Sequence, residues 1–164
     1  MRYHQKGAWL LLFLSLNSYT VTANTLADII NTKEQHLKTN SNPTIETNTQ
    51  EYGLAFIFSS TCPHCRKFAP TLEAFAATTG LPVYSFSADG KGIHTYTQPL
   101  IATPDIIRQF FPNQESIIYP ALFLVNLNTR AHVQLSLGNV PFSALDTTYK
   151  AAMSYPHIKA RLAK

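Results

Sequence analysis

The sequence predicts an α/β domain in which a central mixed β-sheet is flanked by helices. Apolar runs of strand length alternate with amphipathic helical segments in the first part of the domain. Two further strands, joined by a short turn-forming segment, then precede a last helix. The resulting order, β-α-β-α-β-β-α, combines a parallel βαβ unit with an antiparallel hairpin, and this combination requires a mixed sheet.

Residues 1–23 are predicted to be a cleaved secretory signal. The basic segment MRYHQK precedes the apolar run GAWLLLFLSL, and VTA then supplies the small residues that signal peptidase requires. The apolar run is short for a membrane span, although an uncleaved anchor is the alternative. We therefore expect a secreted protein that meets the membrane only through its transient signal, in a compartment where thiols can form disulfides.

Residues 24–50 are predicted to be an N-terminal helix followed by a polar linker. Apolar residues recur at near-helical spacing over 25–38, whereas residues 39–50 contain one aliphatic side chain, Ile45. The main domain is expected to cover residues 51–164.

The domain opens with a central strand and a helix. The run YGLAFIFS, from Tyr52, is almost continuously apolar, as is typical of a strand covered on both faces. Thr61 is expected to cap a helix that starts at the CPHC motif, residues 62–65, and ends before Gly80, with Pro70 as a kink inside it. The face of this helix that is predicted to be buried consists of Phe68, Leu72, Phe75 and Ala76.

The remaining elements follow at short intervals. Strands are predicted at 83–87, 121–125 and 131–137, and a short helix at 103–111. A last helix is predicted at 141–155, with Phe142, Leu145, Tyr149 and either Ala152 or Met153 facing the core.

Composition argues against nucleic acid as a partner. The formal charge is +4, but lysines and arginines are scattered singly apart from Arg66 and Lys67. A nucleic-acid footprint needs basic residues clustered on one face.

Cys62 and Cys65 are the only cysteines, and their position predicts redox chemistry. Cys62 is expected at a helix N-terminus, where free N–H groups and the helix dipole stabilise a thiolate. The thiolate is the nucleophile in disulfide exchange. Cys65, one turn later and less exposed, is placed to attack a mixed disulfide and release the substrate. Pro63 occupies the first helical turn, and His64, when protonated, would favour the ionised Cys62 and a more oxidising disulfide.

Other uses of the two cysteines are open at this stage. A structural disulfide across so small a loop would add little stability. A zinc site needs about four ligands, and the sequence has neither a second CxxC nor an HxxxH pattern, so no metal is expected. A metallochaperone using only Cys62 and Cys65 is a further alternative.

The CPHC motif, the proline within the following helix and the order of elements resemble the thioredoxin superfamily. The stretches SFSADGKG, TPDIIRQFFPN and YPALFLVNLNT resemble more closely the TrbB family, thiol-disulfide isomerases of F-type conjugative transfer systems. The resemblance covers about residues 52–155. It implies a thioredoxin-like fold and a redox-active Cys62–Cys65 disulfide with no other cofactor. It also implies periplasmic, cysteine-containing substrates in a conjugation or type IV secretion apparatus that assembles a pilus, and a redox partner that recycles the pair.

The resemblance also assigns a role to Tyr119 and Pro120. In thioredoxin-like proteins a cis-proline before this strand lies beside the CxxC motif, and the residue before it hydrogen-bonds an extended substrate peptide. An ordinary trans proline is the alternative.

The sequence departs from the superfamily at two positions. Phe56 stands where thioredoxin and DsbA-like oxidases have a buried acid that assists proton transfer from the second cysteine. Tyr119 stands where Thr or Val is usual. CPHC is also the motif of DsbA-like oxidases, so a general thiol oxidase is an alternative activity. A non-catalytic assembly factor with the same fold is another.

Overall fold

The computed structural model describes residues 26–39, 51–113 and 117–164. The expected helices and strands occur in the expected order, with a two-residue strand and a short C-terminal helix in addition. The predicted signal and most of the predicted linker lie outside the described residues. The elements are α1 (Leu26–Thr39), β1 (Tyr52–Phe58), α2 (Pro63–Thr79), β2 (Val83–Ser87), β3 (Leu100–Ile101), α3 (Pro104–Phe110), β4 (Ala121–Asn126), β5 (His132–Leu137), α4 (Phe142–Ser154) and α5 (Pro156–Leu162).

The sheet has five strands in the order β3-β2-β1-β4-β5. β1 pairs in parallel with β2 and antiparallel with β4, and β4 pairs antiparallel with β5. Every residue of β1 after Tyr52 is buried, as a central strand covered on both faces requires. This mixed sheet, with helices on both faces, is a thioredoxin-like fold, as the sequence predicted.

Successive side chains of β1 divide between two hydrophobic clusters because side chains alternate across a strand. Leu54, Phe56 and Phe58 belong to the cluster formed with α2, α4 and α5. Ala55 and Ile57 belong to the cluster formed with α1 and α3. The alternation places β1, and the motif that follows it, at the centre of the domain.

α2 begins at Pro63, with Cys62 as its N-cap residue. The prediction that Thr61 caps the helix was wrong, because the capping atom is the Cys62 sulfur and the Thr61 hydroxyl lies 3.0 Å from that of Ser59 instead. At the other end, Gly80 adopts the left-handed conformation, with φ of 69°, which costs glycine little. Pro70 lies inside the helix, and the predicted face is buried through Phe68, Leu72 and Phe75, with Ala76 partly buried.

The helix predicted at 141–155 is α4, and a second short helix, α5, follows it. Tyr155, between α4 and α5, is extended with φ of −76° and ψ of 122°, because the residue before a proline avoids the helical region. Leu145 and Ala152 are buried as predicted, and Tyr149 and Met153 are partly buried. Phe142, expected in the core, is 36% exposed, with its ring against the edge of Phe75.

α1 packs on the sheet of the same domain. Leu26 and Ile30 are buried in the cluster with α3. The Lys33 ammonium donates to the Val83 carbonyl and lies 4.8 Å from the centre of the Tyr84 ring, and burial lowers the pKa of Lys33. The apolar side chains of Leu26 and Ile30 are therefore buried against the core of the chain's own domain. Among the described residues, no helix is both long enough and apolar enough to cross a membrane.

Candidate active site

Cys62 lies at the point where β1 ends and α2 begins. Its sulfur accepts the backbone N–H of Cys65 at 3.3 Å, which satisfies one of the amides left free in a first helical turn. The positive end of the helix dipole is directed at the same atom. Cys62 is half-buried, so the residue is open to solvent on one side as well as stabilised by the helix.

Cys65 lies beneath Cys62 and is completely buried. Burial raises the pKa of the Cys65 thiol to about 12, and a hydrogen bond to Cys62 adds to this effect. Both cysteines are free thiols in this structure. The two sulfurs thus differ in the way that disulfide exchange requires, with one accessible group and one protected, protonated group beside it.

The peptide bond between Tyr119 and Pro120 is cis and lies beside Cys62. The Tyr119 carbonyl oxygen is 3.8 Å from the Cys62 sulfur. Pro120 is buried, its carbonyl accepts the Gly138 N–H at 2.7 Å, and Ile118 on the other side is 48% exposed. This segment therefore forms a fixed wall next to the accessible sulfur.

Tyr119 is partly buried at the junction of the two hydrophobic clusters. Burial raises the pKa of its phenol, and the charges of Cys65 and Asp89 act in the same direction. The phenol therefore stays neutral through the physiological range, and its charge state does not change when the cysteines react.

Phe56 fills the position where the superfamily has its buried acid. Its ring stacks on Phe58 at 5.0 Å between centroids, and Tyr96 and Phe68 lie at 5.2 and 5.9 Å. The core position of Phe56, in the same hydrophobic cluster as Cys65, is therefore aromatic, and Phe56 cannot accept a proton.

His64 and Pro63 are exposed at the start of α2. The structure brings Cys62, Cys65, Tyr119 and Pro120 together, while His64 lies on the solvent side of the motif. Within the described part of the chain, no group of three or more His, Cys, Asp or Glu side chains is placed to hold a metal ion.

The sequence analysis missed Asp89, which follows β2. Its carboxylate accepts hydrogen bonds from the Ser60 hydroxyl at 2.6 Å and from the Ser60 backbone N–H at 3.2 Å. The only sequence signal was the turn ADG, which did not indicate that Asp89 reaches the segment before Cys62.

The fold and the site define a thioredoxin-fold protein with a CxxC motif at the N-terminus of its central helix. The profile of the TraF family, described as F plasmid transfer operon protein, matches residues 17–148, and the chain belongs to this family. It is also 32% identical over 93 residues to Protein TrbB of Escherichia coli (strain K12). That match covers 57% of this chain and 51% of TrbB, so the chain spans about half the length of this curated relative. The resemblance to TrbB that the sequence indicated is confirmed.

Solved structures of thiol-disulfide proteins are also similar to the chain. A thioredoxin-family thiol:disulfide interchange protein from Chlorobium tepidum TLS has a TM-score of 0.47 and 18% identity, over 63% of this chain and 81% of that one. The thioredoxin domain of a thiol-disulfide oxidoreductase from Bacteroides vulgatus has a TM-score of 0.41 and 17% identity, over 62% and 78%.

Proposed function

We propose that this protein is a periplasmic thiol-disulfide isomerase acting on cysteine-containing proteins of a conjugation or type IV secretion apparatus. The observation that carries the proposal is the position of the Cys62 sulfur. It caps α2, is accessible, and lies 3.8 Å from the carbonyl of the cis peptide at Tyr119. Membership of a conjugative transfer family supports the apparatus as the source of substrates.

The first step is attack of the Cys62 thiolate on a substrate disulfide. A bond forms between Cys62 and one substrate sulfur, the substrate disulfide breaks, and the second substrate sulfur leaves as a thiolate. The backbone of Tyr119 lies beside this sulfur, and the chain before it would offer polar groups to an extended substrate. The Cys65 N–H remains directed at the reacting sulfur.

The fate of the mixed disulfide decides between isomerisation and reduction. If another substrate thiolate attacks the mixed disulfide, a new substrate disulfide forms and Cys62 is released. If Cys65 attacks, the substrate leaves reduced and Cys62–Cys65 becomes a disulfide. Since burial holds the pKa of Cys65 at about 12 and Phe56 offers no base, Cys65 is slow to ionise, and this favours the first route.

A DsbA-like oxidase is the second candidate, and His64 in the CPHC motif favours it. In that direction a substrate thiolate attacks the Cys62–Cys65 disulfide at Cys62, Cys65 leaves, and a second substrate thiolate then displaces Cys62. The substrate is oxidised and the protein dithiol is reduced. Another periplasmic protein must then remove two electrons from the pair. The isomerase needs the opposite partner, a reductant, only when Cys65 has attacked and closed the Cys62–Cys65 disulfide.

Trapping of mixed disulfides tests the proposal. We expect Cys65→Ser, expressed with the conjugation apparatus, to accumulate covalent complexes that reducing agent dissolves, and we expect Cys62→Ser to accumulate none. Equal conjugation by wild type and by the Cys62→Ser/Cys65→Ser double variant would show instead that the protein is a non-catalytic assembly factor.

A further inference from the structure

The Asp89 carboxylate collects hydrogen bonds from two segments of the chain. Besides Ser60, the Ser59 hydroxyl donates at 3.3 Å, the buried Ser87 hydroxyl at 2.7 Å and the Lys91 backbone N–H at 3.4 Å. The bonds from Ser60 and Ser87 hold the pKa of Asp89 well below its ordinary value. Asp89 is therefore ionised at every pH at which the protein would work. Its side chain lies at the surface.

These bonds act on the bend formed by residues 59–61, which joins β1 to Cys62. The same bend is held from the other side, where Arg66 Nη1 of α2 donates to the Ser60 carbonyl at 2.6 Å. Ser60 is therefore fixed through its N–H, its hydroxyl and its carbonyl. Such convergence on one residue restricts the backbone more than a single surface hydrogen bond does.

The bend contacts both cysteines directly. The Cys62 N–H donates to the Ser59 carbonyl at 3.2 Å. The Ser59 backbone also lowers the pKa of the Cys65 thiol, against the larger raising effect of burial. A change in the position of Ser59 therefore alters the surroundings of both sulfurs at once.

We propose that Asp89 is a positioning residue that holds residues 59–61 in the dithiol form and thereby favours closure of the Cys62–Cys65 disulfide. The inference rests on the proposed redox function of this pair. In the disulfide form a covalent bond fixes the two cysteines relative to each other, whereas in the dithiol form their arrangement depends on hydrogen bonds. Because the Asp89 bonds already order the segment before Cys62 in the dithiol, less conformational freedom is lost when the disulfide closes, so these bonds favour the disulfide and make it a weaker oxidant.

The test measures the equilibrium of the full protein with glutathione. One protein dithiol and one glutathione disulfide give one protein disulfide and two glutathione thiols, and alkylation counts the free thiols. We expect Asp89→Ala to lower this equilibrium constant about fivefold, as if about one net hydrogen bond distinguishes the two forms. Asp89→Asn, which keeps one acceptor oxygen, and Ser60→Ala, which keeps the backbone bond, are each expected to give about half of this effect on a logarithmic scale.

The control is Asp146→Ala, which removes a carboxylate bound to Lys150 on α4. We expect it to leave the glutathione equilibrium unchanged. A lower Tm for Asp89→Ala with an equilibrium constant equal to that of wild type would overturn the proposal, since the role would then be structural only. If Asp89→Ala does not fold, Ser60→Ala decides in the same way. A wild-type protein that never forms the disulfide would remove the proposed redox function and this inference with it, and the wild-type titration alone shows that outcome.

Discussion

The sulfur of Cys62 accepts the backbone N–H of Cys65 at 3.3 Å, so the proposed nucleophile also caps the helix that carries its partner. We expect Cys62→Ala to lower the free energy of unfolding by about 1 kcal/mol, the usual cost of losing an N-cap acceptor. Cys62→Ser, which keeps an acceptor, is expected to lose less than half of that amount. Urea unfolding of the reduced proteins measures both. Equal stability of the two variants would contradict a capping role.

The buried thiol of Cys65 predicts a pH dependence of stability. Its pKa is about 12 in the folded protein, above the ordinary value of 9.0. The unfolded state therefore loses this proton at lower pH than the folded state does, and the stabilisation is fully present below about pH 9 and is lost as pH rises towards 12.

This loss is measured by comparing the unfolding free energies of reduced wild type and reduced Cys65→Ala at pH 8 and again at pH 10. The tyrosines titrate in both proteins, so their contribution cancels in the difference. We expect the advantage of wild type to shrink at the higher pH. An advantage that does not change with pH would mean that Cys65 is not protected from ionisation.

Phe56 and Phe142 differ in burial, and this difference predicts unequal costs of truncation. Phe56 is fully buried between three other rings, so Phe56→Ala is expected to lower the free energy of unfolding by about 3–5 kcal/mol. Phe142 is 36% exposed and touches the core at one edge, so Phe142→Ala should cost about 1 kcal/mol. Chemical denaturation compares them, and similar costs would show that Phe142 belongs to the core.

The aromatic ring of Tyr119 is expected to influence which substrates react fastest. Because its phenol is neutral and partly buried, we expect Tyr119→Phe to keep the relative rates of reaction with a panel of peptide disulfides. Tyr119→Thr, which restores a residue usual in the superfamily, is expected to change those relative rates by more than threefold, an effect of about the size of one lost apolar contact. Unchanged selectivity in Tyr119→Thr would show that the ring does not face the substrate.

The fold was predictable where local patterns agreed with tertiary structure. The apolar run of β1, the proline and glycine at the two ends of α2 and the hairpin between β4 and β5 each carry their own sequence signal. β3 has only two residues and forms because β2 offers it an edge, so no pattern marks it. α5 has only seven residues and was not predicted, although Pro156 at its start is a residue favoured in a first helical turn.

The cysteines of the site could be predicted from the sequence, but the residue that positions the segment before them could not. Cys62 with Cys65, and Tyr119 with Pro120, are each short motifs whose members are neighbours in the sequence. Asp89 lies 29 residues after Ser60, and their contact arises because β1 and β2 are parallel neighbours that end at the same edge of the sheet. Long-range contacts of this kind leave no mark on local composition. Thr61 was mistaken for the cap because a threonine is a more usual cap residue than a cysteine.

The most direct test of the proposed function compares wild type with Cys65→Ser on a substrate with scrambled disulfides in a defined glutathione buffer. Isomerisation needs only a nucleophile that attacks and is later displaced, whereas net oxidation needs both cysteines. We predict that Cys65→Ser retains a large part of the unscrambling activity and loses the oxidation of reduced substrate. A variant inactive in both assays, beside a wild type that oxidises reduced substrate, would contradict the isomerase and identify an oxidase.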